Sequence, residues 1–410
     1  MTATVLVLDG FGIGAMGDAG MLRTEDARAD TLGSLVRWAR ETRGRELDVR
    51  HLAGLGLAAL RPDLGLAIET AGVRATARRS ALGYPGADTF AGHQTMMGAD
   101  MSRVVVCPLS QRIDEVRAAL EEAGHRTALL DGKPVIVVDD AMLVHDNLEA
   151  DPGLNWNVSA RLELVPWEQI LAAAEAVRAV APVARVIAVG GRSDRPLTES
   201  VRPGDFGTIG MDTPASGFYR NGGLQVQHLG ADIDHSRQLP ELAARAGLPV
   251  TLVGKAADIL VTDAEVTRLP GVETEEILTD TLRAATGGGL VVSNVQQTDL
   301  AGHQQDPGRF VTMLEMVDAA VPELVASLRD PGDLLVVVAD HGNDPLIGHG
   351  YHTREYVPVL AVTPGRAATG VGEVLTSLAD VGASVAAALG LDPTALGNGR
   401  PTDLMVAGRP

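Results

Sequence analysis

The chain has 410 residues, enough for one large core and a second, smaller domain. Its hydrophobic fraction of 45% and charged fraction of 21% are those of a globular protein, and no apolar run reaches the roughly 18 residues of a membrane span. The formal net charge of −19 argues against a nucleic-acid partner, whose phosphates call for basic surface, yet leaves a phosphorylated small molecule open because bound cations reverse the local sign. The single cysteine, Cys107, excludes an internal disulfide framework and a thiolate metal cluster. The chain enters Thr4-Val5-Leu6-Val7-Leu8 without a basic leader or a small-residue cleavage site, so a cytoplasmic location is expected.

In chain order, residues 5–8 read as a buried strand ending at Asp9, followed by the turn Gly10-Phe11-Gly12-Ile13-Gly14. Asp30 or Thr31 caps an expected helix over 32–40. Residues 290–294 form another apolar strand, and polar residues follow down to Asp299. Helical spacing over 310–328 leads into the apolar run 334–339, so strand, helix and strand alternate. Val357–Val362 adds a strand and 380–389 an amphipathic helix. The middle carries its own elements: helices over 111–123 and 166–180, strands over 134–138 and 185–189, and an irregular Gly/Pro/Ser-rich stretch over 190–217. The expected architecture is α/β: a core of residues 1–100 and 226–410, with a mostly parallel sheet flanked by helices, and an inserted smaller α/β cap domain of residues 101–225.

Four core segments end in ligands for hard cations: Asp9, the step from Asp299 to His303, the pair Asp340-His341, and His352. Open α/β sheets bind ligands outside the carboxyl ends of their strands, which is where Asp9 and Asp340-His341 fall. Three carboxylates and three imidazoles divide over two divalent ions, with manganese, magnesium or zinc suited to the donors. Two such ions about 4 Å apart hold both the attacking and the leaving oxygen of an in-line phosphoryl displacement. In Gly86-Ala87-Asp88-Thr89-Phe90-Ala91-Gly92-His93, Thr89 at a helix start could be an activated nucleophile. Asp88 or Thr89 could equally be a plain helix cap, and the residues alone leave both uses open.

These residues together resemble the phosphopentomutase family of the alkaline phosphatase superfamily. The likeness runs through Leu8-Asp9-Gly10-Phe11-Gly12-Ile13-Gly14, Ala29-Asp30-Thr31-Leu32-Gly33, the Asp-Thr-X-X-Gly-His loop at 88–93 and Met96-Met97-Gly98. It continues through Val253-Gly254-Lys255, Asp340-His341-Gly342 with Asp344-Pro345, His352-Thr353-Arg354-Glu355, and Ala379-Asp380-Val381-Gly382. An alkaline-phosphatase-like core is therefore implied, with Thr89 carrying the phosphoryl group. Asp9, Asp340, His341 and Thr89 would hold one manganese ion, and Asp299, His303 and His352 the second. At Asp299 the spacing is closer to that of cofactor-independent phosphoglycerate mutase. Lys255, one of two lysines among 34 basic residues, would meet the substrate phosphate.

The cap departs from the family. Phe218-Tyr219-Arg220-Asn221-Gly222 is similar to the family's Phe-X-Arg-Thr-Gly and implies Arg220 as a phosphate clamp. Val189 stands where a second arginine is expected, with Arg192 or Arg195 placed to substitute, and Arg161 replaces an acidic residue. The implied activity is a phosphosugar mutase interconverting ribose 1-phosphate and ribose 5-phosphate, or a related sugar phosphate, through a phosphothreonine enzyme and a bisphosphate, with a sugar bisphosphate activator. The alternatives are a metal-dependent phosphohydrolase of the same superfamily and a non-catalytic relative. The expected partner is a small-molecule phosphosugar, with no nucleic acid and no membrane; the sequence leaves the oligomeric state open.

Overall fold

The computed structural model describes residues 1–69, 75–101, 103–218, 220–364 and 370–402. The chain divides into two compact units, one of Met1–Met101 with Asp234–Pro410 and one of Ser102–Ile233. Among the described residues, no helix is long and apolar enough to cross a membrane.

In the first unit an eight-stranded sheet runs in the order Thr267–Leu269, Val250–Gly254, Gly289–Val295, Thr2–Leu8, Leu334–Val338, Val357–Val362, Ala75–Ser80 and Gly370–Val371. The first five pair in parallel, and Val357–Val362 is antiparallel to both neighbours. Thr2–Leu8, Gly289–Val295 and Leu334–Val338 are buried along their whole length. That burial on both faces is why these runs read as mostly apolar and not alternating. Each buried Leu or Val in Leu334–Val338 contributes roughly 1.5–3 kcal/mol, so the strand end that leads to Asp340 is firmly anchored. The first helix is Thr31–Trp38; the Asp30 carboxylate caps it by accepting the Gly33 N–H at 3.1 Å. Arg61 in turn fixes Asp30 through two contacts of 2.5 and 2.9 Å.

The second unit has a six-stranded sheet in the order Gln225–Gly230, Arg185–Gly191, Asn155–Arg161, Met142–Asp146, Ile136–Val138 and Thr127–Leu129. Asn155–Arg161 and Arg185–Gly191 are parallel and the other pairs antiparallel. The unit extends past residue 225 because Gln225–Gly230 is itself a strand of this sheet. Trp156, Val158 and Ala160 face the helix Trp167–Val180 on one side; Leu143, Ile187 and Val189 meet Met211 and Phe218 on the other. The stretch over 190–217 is more ordered than its composition suggests, holding the antiparallel pair Val201–Pro203 and Ile209–Met211 and the short helix Thr213–Ser216. Three-residue strands broken by Gly204 and Gly207 are too short for an alternation to show.

Two adjacent titratable side chains are sealed in this second unit. Burial pushes the Asp146 carboxyl up to about 6, against the N–H groups of Leu109 and Ile209 that it accepts at 2.7 and 2.8 Å. Burial pushes the His145 imidazole down to about 4; its Nε2 lies 3.0 Å from the Ser159 hydroxyl. Folded Asp146 keeps its proton to higher pH than the unfolded chain, so its contribution to stability falls as pH rises through that window. His145 does the reverse, because the unfolded chain takes up the proton first as pH drops. The two slopes oppose each other. Asp146→Asn is therefore expected to lose about 3 kcal/mol more stability than wild type between pH 6.5 and 4, and His145→Gln to gain over the same interval. Denaturant titrations across that range measure both, and curves parallel to wild type would refute the assignment.

Candidate metal centre and nucleophile

Asp9 and Asp340 each lie two residues beyond a register pair, Val7 and Val338, on neighbouring parallel strands. Their side chains therefore emerge at the same level at the carboxyl edge of the sheet. Gly10 turns the chain away with φ of +73°, and a Cβ there would lie 3.0 Å from Asp299 Oδ1. Asp299 and His303 share one face of the helix Gln297–His303, being four residues apart. His352 lies on the segment that follows Asp340-His341; the backbones of Gly342 and Thr353 pair at 3.0 and 2.8 Å to bring it back.

Two groups of three ligand atoms result, each within 4.8 Å of one another: Asp9, Asp340 and His341, and Asp299, His341 and His352. His303 joins the second, its Nε2 lying 3.2 Å from Asp299 Oδ2 and 3.1 Å from His352 Nε2. All six predicted ligands thus meet in the first unit. The donor set fits divalent cations on one further observation. Among the described residues Asp9 Oδ1 and His341 Nε2 are buried without a hydrogen-bond partner, and they stand 3.6 Å apart, a carboxylate oxygen and an imidazole nitrogen sharing one space. The other atoms of these side chains are held: His303 Nδ1 by the Gly350 carbonyl at 2.7 Å, His352 Nδ1 by the Ala87 carbonyl at 3.1 Å, and Asp299 Oδ1 by Asn343 Nδ2 at 2.8 Å.

Thr89 opens the helix Thr89–Met96, and the Asp88 carboxylate caps it by accepting the Ala91 N–H at 2.9 Å. The two uses left open are thereby divided: Asp88 caps, and the Thr89 hydroxyl is free for another role. It donates to Asp340 Oδ2 at 2.8 Å and accepts from Lys255 Nζ at 3.1 Å. Lys255 also contacts Asp9 Oδ2 at 2.5 Å and Asp299 Oδ2 at 3.7 Å. Burial works against its charge, but Asp9, Asp299 and Asp340 outweigh burial and raise its pKa. Burial and Asp340 push Asp9 up to about 6, while for Asp340 burial is outweighed by His341, His93 and Lys255, which hold it below the carboxylate range. Two neighbouring carboxyls pushed apart in this way mark a site short of positive charge. The helix can come this close because residue 92 is glycine: a Cβ there would lie 2.8 Å from the Asp340 carbonyl oxygen.

Arg192 and Arg220 are in the second unit, exposed and without a carboxylate partner among the described residues. Arg161 pairs in register with Gly191, immediately before Arg192. Sequence reasoning assigned no role to Asn294, Tyr84 or Asn343, nor to His93 beyond its place at the end of the loop 88–93. Tyr84 donates to the Asp340 carbonyl at 2.8 Å, and Asn294 Nδ2 donates to Asp9 Oδ2 at the same distance. Asn294 could have been found, since it ends the apolar run beside the first strand; Tyr84 and Asn343 carry no such signal.

A model of the metalloenzyme superfamily matches residues 1–393 of this chain. A phosphopentomutase of Methylobacterium radiotolerans is 32% identical over 417 residues, covering 95% of this chain and 97% of its own length. A phosphopentomutase of Methylobacterium sp. (strain 4-46) is 34% identical over 416 residues, with the same coverage of 95% and 97%. Among solved structures, a phosphoglycerate mutase of Leishmania mexicana covers 98% of this chain and 96% of that one at 15% identity, with a TM-score of 0.43. The chain therefore belongs to the metalloenzyme superfamily and, within it, to the phosphopentomutase family of intramolecular phosphotransferases.

Proposed function

We propose that this enzyme interconverts ribose 1-phosphate and ribose 5-phosphate, or a closely related sugar phosphate, through phospho-Thr89 and a sugar bisphosphate. The observation that carries the reading is the Thr89 hydroxyl, placed between Lys255 Nζ and Asp340 Oδ2 beside the two ligand clusters. That the relatives are phosphopentomutases supports a pentose phosphate as substrate.

Asp9, Asp340, His341 and Thr89 would hold one divalent ion and Asp299, His303 and His352 the second, manganese being our choice for both. When bound, these ions supply Lewis acidity to the phosphoryl oxygens and a lowered pKa to the nucleophile. The resting enzyme carries its phosphoryl group on Thr89, loaded by a sugar bisphosphate activator. A substrate hydroxyl attacks that phosphorus; the Thr89 Oγ–P bond breaks, the sugar O–P bond forms, and the hydroxyl proton ends on Thr89. Lys255 offsets the charge on Thr89 Oγ as it leaves. The bisphosphate then turns over and returns its other phosphoryl group to Thr89. Arg220 and Arg192 carry guanidinium groups whose paired donors suit a phosphate, and we assign them to substrate binding.

The reading is tested by giving the manganese-loaded protein ribose 5-phosphate with a trace of 1,5- or 1,6-bisphosphate. Ribose 1-phosphate is the expected product. Free phosphate with no ribose 1-phosphate would replace the mutase with a hydrolase.

A further inference from the structure

We propose that His93 and Asn294 are positioning residues for the first ion cluster: a buried bridge that sets the spacing of Asp9 and Asp340 and ties both to the helix turn carrying Thr89. The inference rests on the two-ion reading above. His93 Nδ1 lies 2.9 Å from the Thr89 carbonyl oxygen and 3.2 Å from Asp340 Oδ2. His93 Nε2 lies 3.0 Å from Asn294 Oδ1, and Asn294 Nδ2 donates to Asp9 Oδ2 at 2.8 Å. Both side chains are fully buried. One continuous path therefore joins the helix Thr89–Met96, the strand Gly289–Val295 and the ends of two further strands, and neither of its members belongs to the ligand set.

The chemistry at each step is selective. Asn294 must accept from an imidazole with one end and donate to a carboxylate with the other, which an amide does and neither a carboxylate nor an alkyl group can. By taking Asp9 Oδ2, together with Lys255, the bridge leaves Oδ1 as the oxygen facing His341 Nε2. Those two atoms are the unpartnered pair of the first cluster. A hydrogen bond that fixes the rotation of a ligand carboxylate in this way changes ion affinity without touching the ion. The clusters share His341, but the second has its own supports in the Gly350 and Ala87 carbonyls and Asn343, while the bridge contacts only Asp9 and Asp340 and so bears directly on the first.

That asymmetry is what the experiment reads. Full-length protein stripped with chelator is titrated with manganese by calorimetry and equilibrium dialysis. Wild type is expected to take up two ions, and His303→Ala identifies which step belongs to the second cluster. Asn294→Ala should weaken the other ion by about 10- to 100-fold and leave the His303-dependent ion unchanged. His93→Gln, which fills most of the ring's volume and keeps one amide, should fall between wild type and His93→Ala. Should Asn294→Ala fail to fold, as judged by circular dichroism of the stripped protein, His93→Gln carries the test. Unchanged affinity for both ions, or equal weakening of both, would overturn the bridge. A wild type that takes up fewer than two ions would overturn the two-ion reading itself, and that result is known before any variant is made.

Discussion

Thr89→Ala should lower kcat by at least about 10⁴-fold, the scale of removing a nucleophile that acts as part of a unit. The side chain is half-buried, and its hydroxyl is the atom that both Asp340 and Lys255 reach. The helix start does not depend on it, because Asp88 supplies the cap and the backbone of Ala91 satisfies it. Loss of one hydroxyl and one methyl at this position leaves the fold and most of the ion-binding donors in place. The expected pattern is thus an inactive protein with a wild-type circular dichroism spectrum and nearly wild-type metal content by elemental analysis. Thr89→Ser, which keeps the hydroxyl, should retain measurable turnover. Full activity in Thr89→Ala would transfer the nucleophile to another group, and a collapse of the fold would make Thr89 structural.

Removal of divalent ions is expected to have an effect of similar size. Asp9, Asp299 and Asp340 are all buried, and Lys255 is the ammonium group they share. A phosphate brought to that centre without further cations meets net negative charge in a region of low dielectric. Exhaustive chelation should therefore reduce turnover to background, with recovery on adding manganese in excess. Because the ions bind the folded chain, their loss also removes stability, about 2.7 kcal/mol per site at a concentration 100 times the dissociation constant. A lower melting temperature that rises again with added manganese is the matching physical signature. Turnover that persists after chelation, with elemental analysis showing no bound metal, would contradict the two-ion account.

Much of the site was legible because parallel strands buried on both faces are mostly apolar. The first polar residue after Thr2–Leu8 or Leu334–Val338 is then conspicuous, and in both cases it is the carboxylate of the first cluster. Asp299 and His303 were named as a step after an apolar strand, and the helix that puts them on one face is seen only in the fold. The supports were harder to see. His93 and Asn294 come together across two elements far apart in sequence, and only register and packing reveal it. Gly92 looks like any helical glycine until the approach to the Asp340 carbonyl is measured. The cap was the least legible part. Its strands Val201–Pro203 and Ile209–Met211 are too short for periodicity, and its last strand, Gln225–Gly230, runs past the boundary expected at residue 225. Arg161, Arg192 and Arg220 are chemically suggestive in the sequence, and in the fold Arg161 lies beside the residue preceding Arg192.

The central claim is that Thr89 carries the phosphoryl group between the two halves of the reaction. It is tested most directly by quenching the manganese-loaded enzyme during turnover of ribose 5-phosphate and mapping its peptides by mass spectrometry. One added phosphoryl group is expected on the peptide containing Thr89, exchanging for a heavier one when the substrate's phosphate is labelled with oxygen-18, and absent from Thr89→Ala. An enzyme that turns over at its full rate with Thr89 unmodified at every time point, or modified at another residue instead, would contradict it.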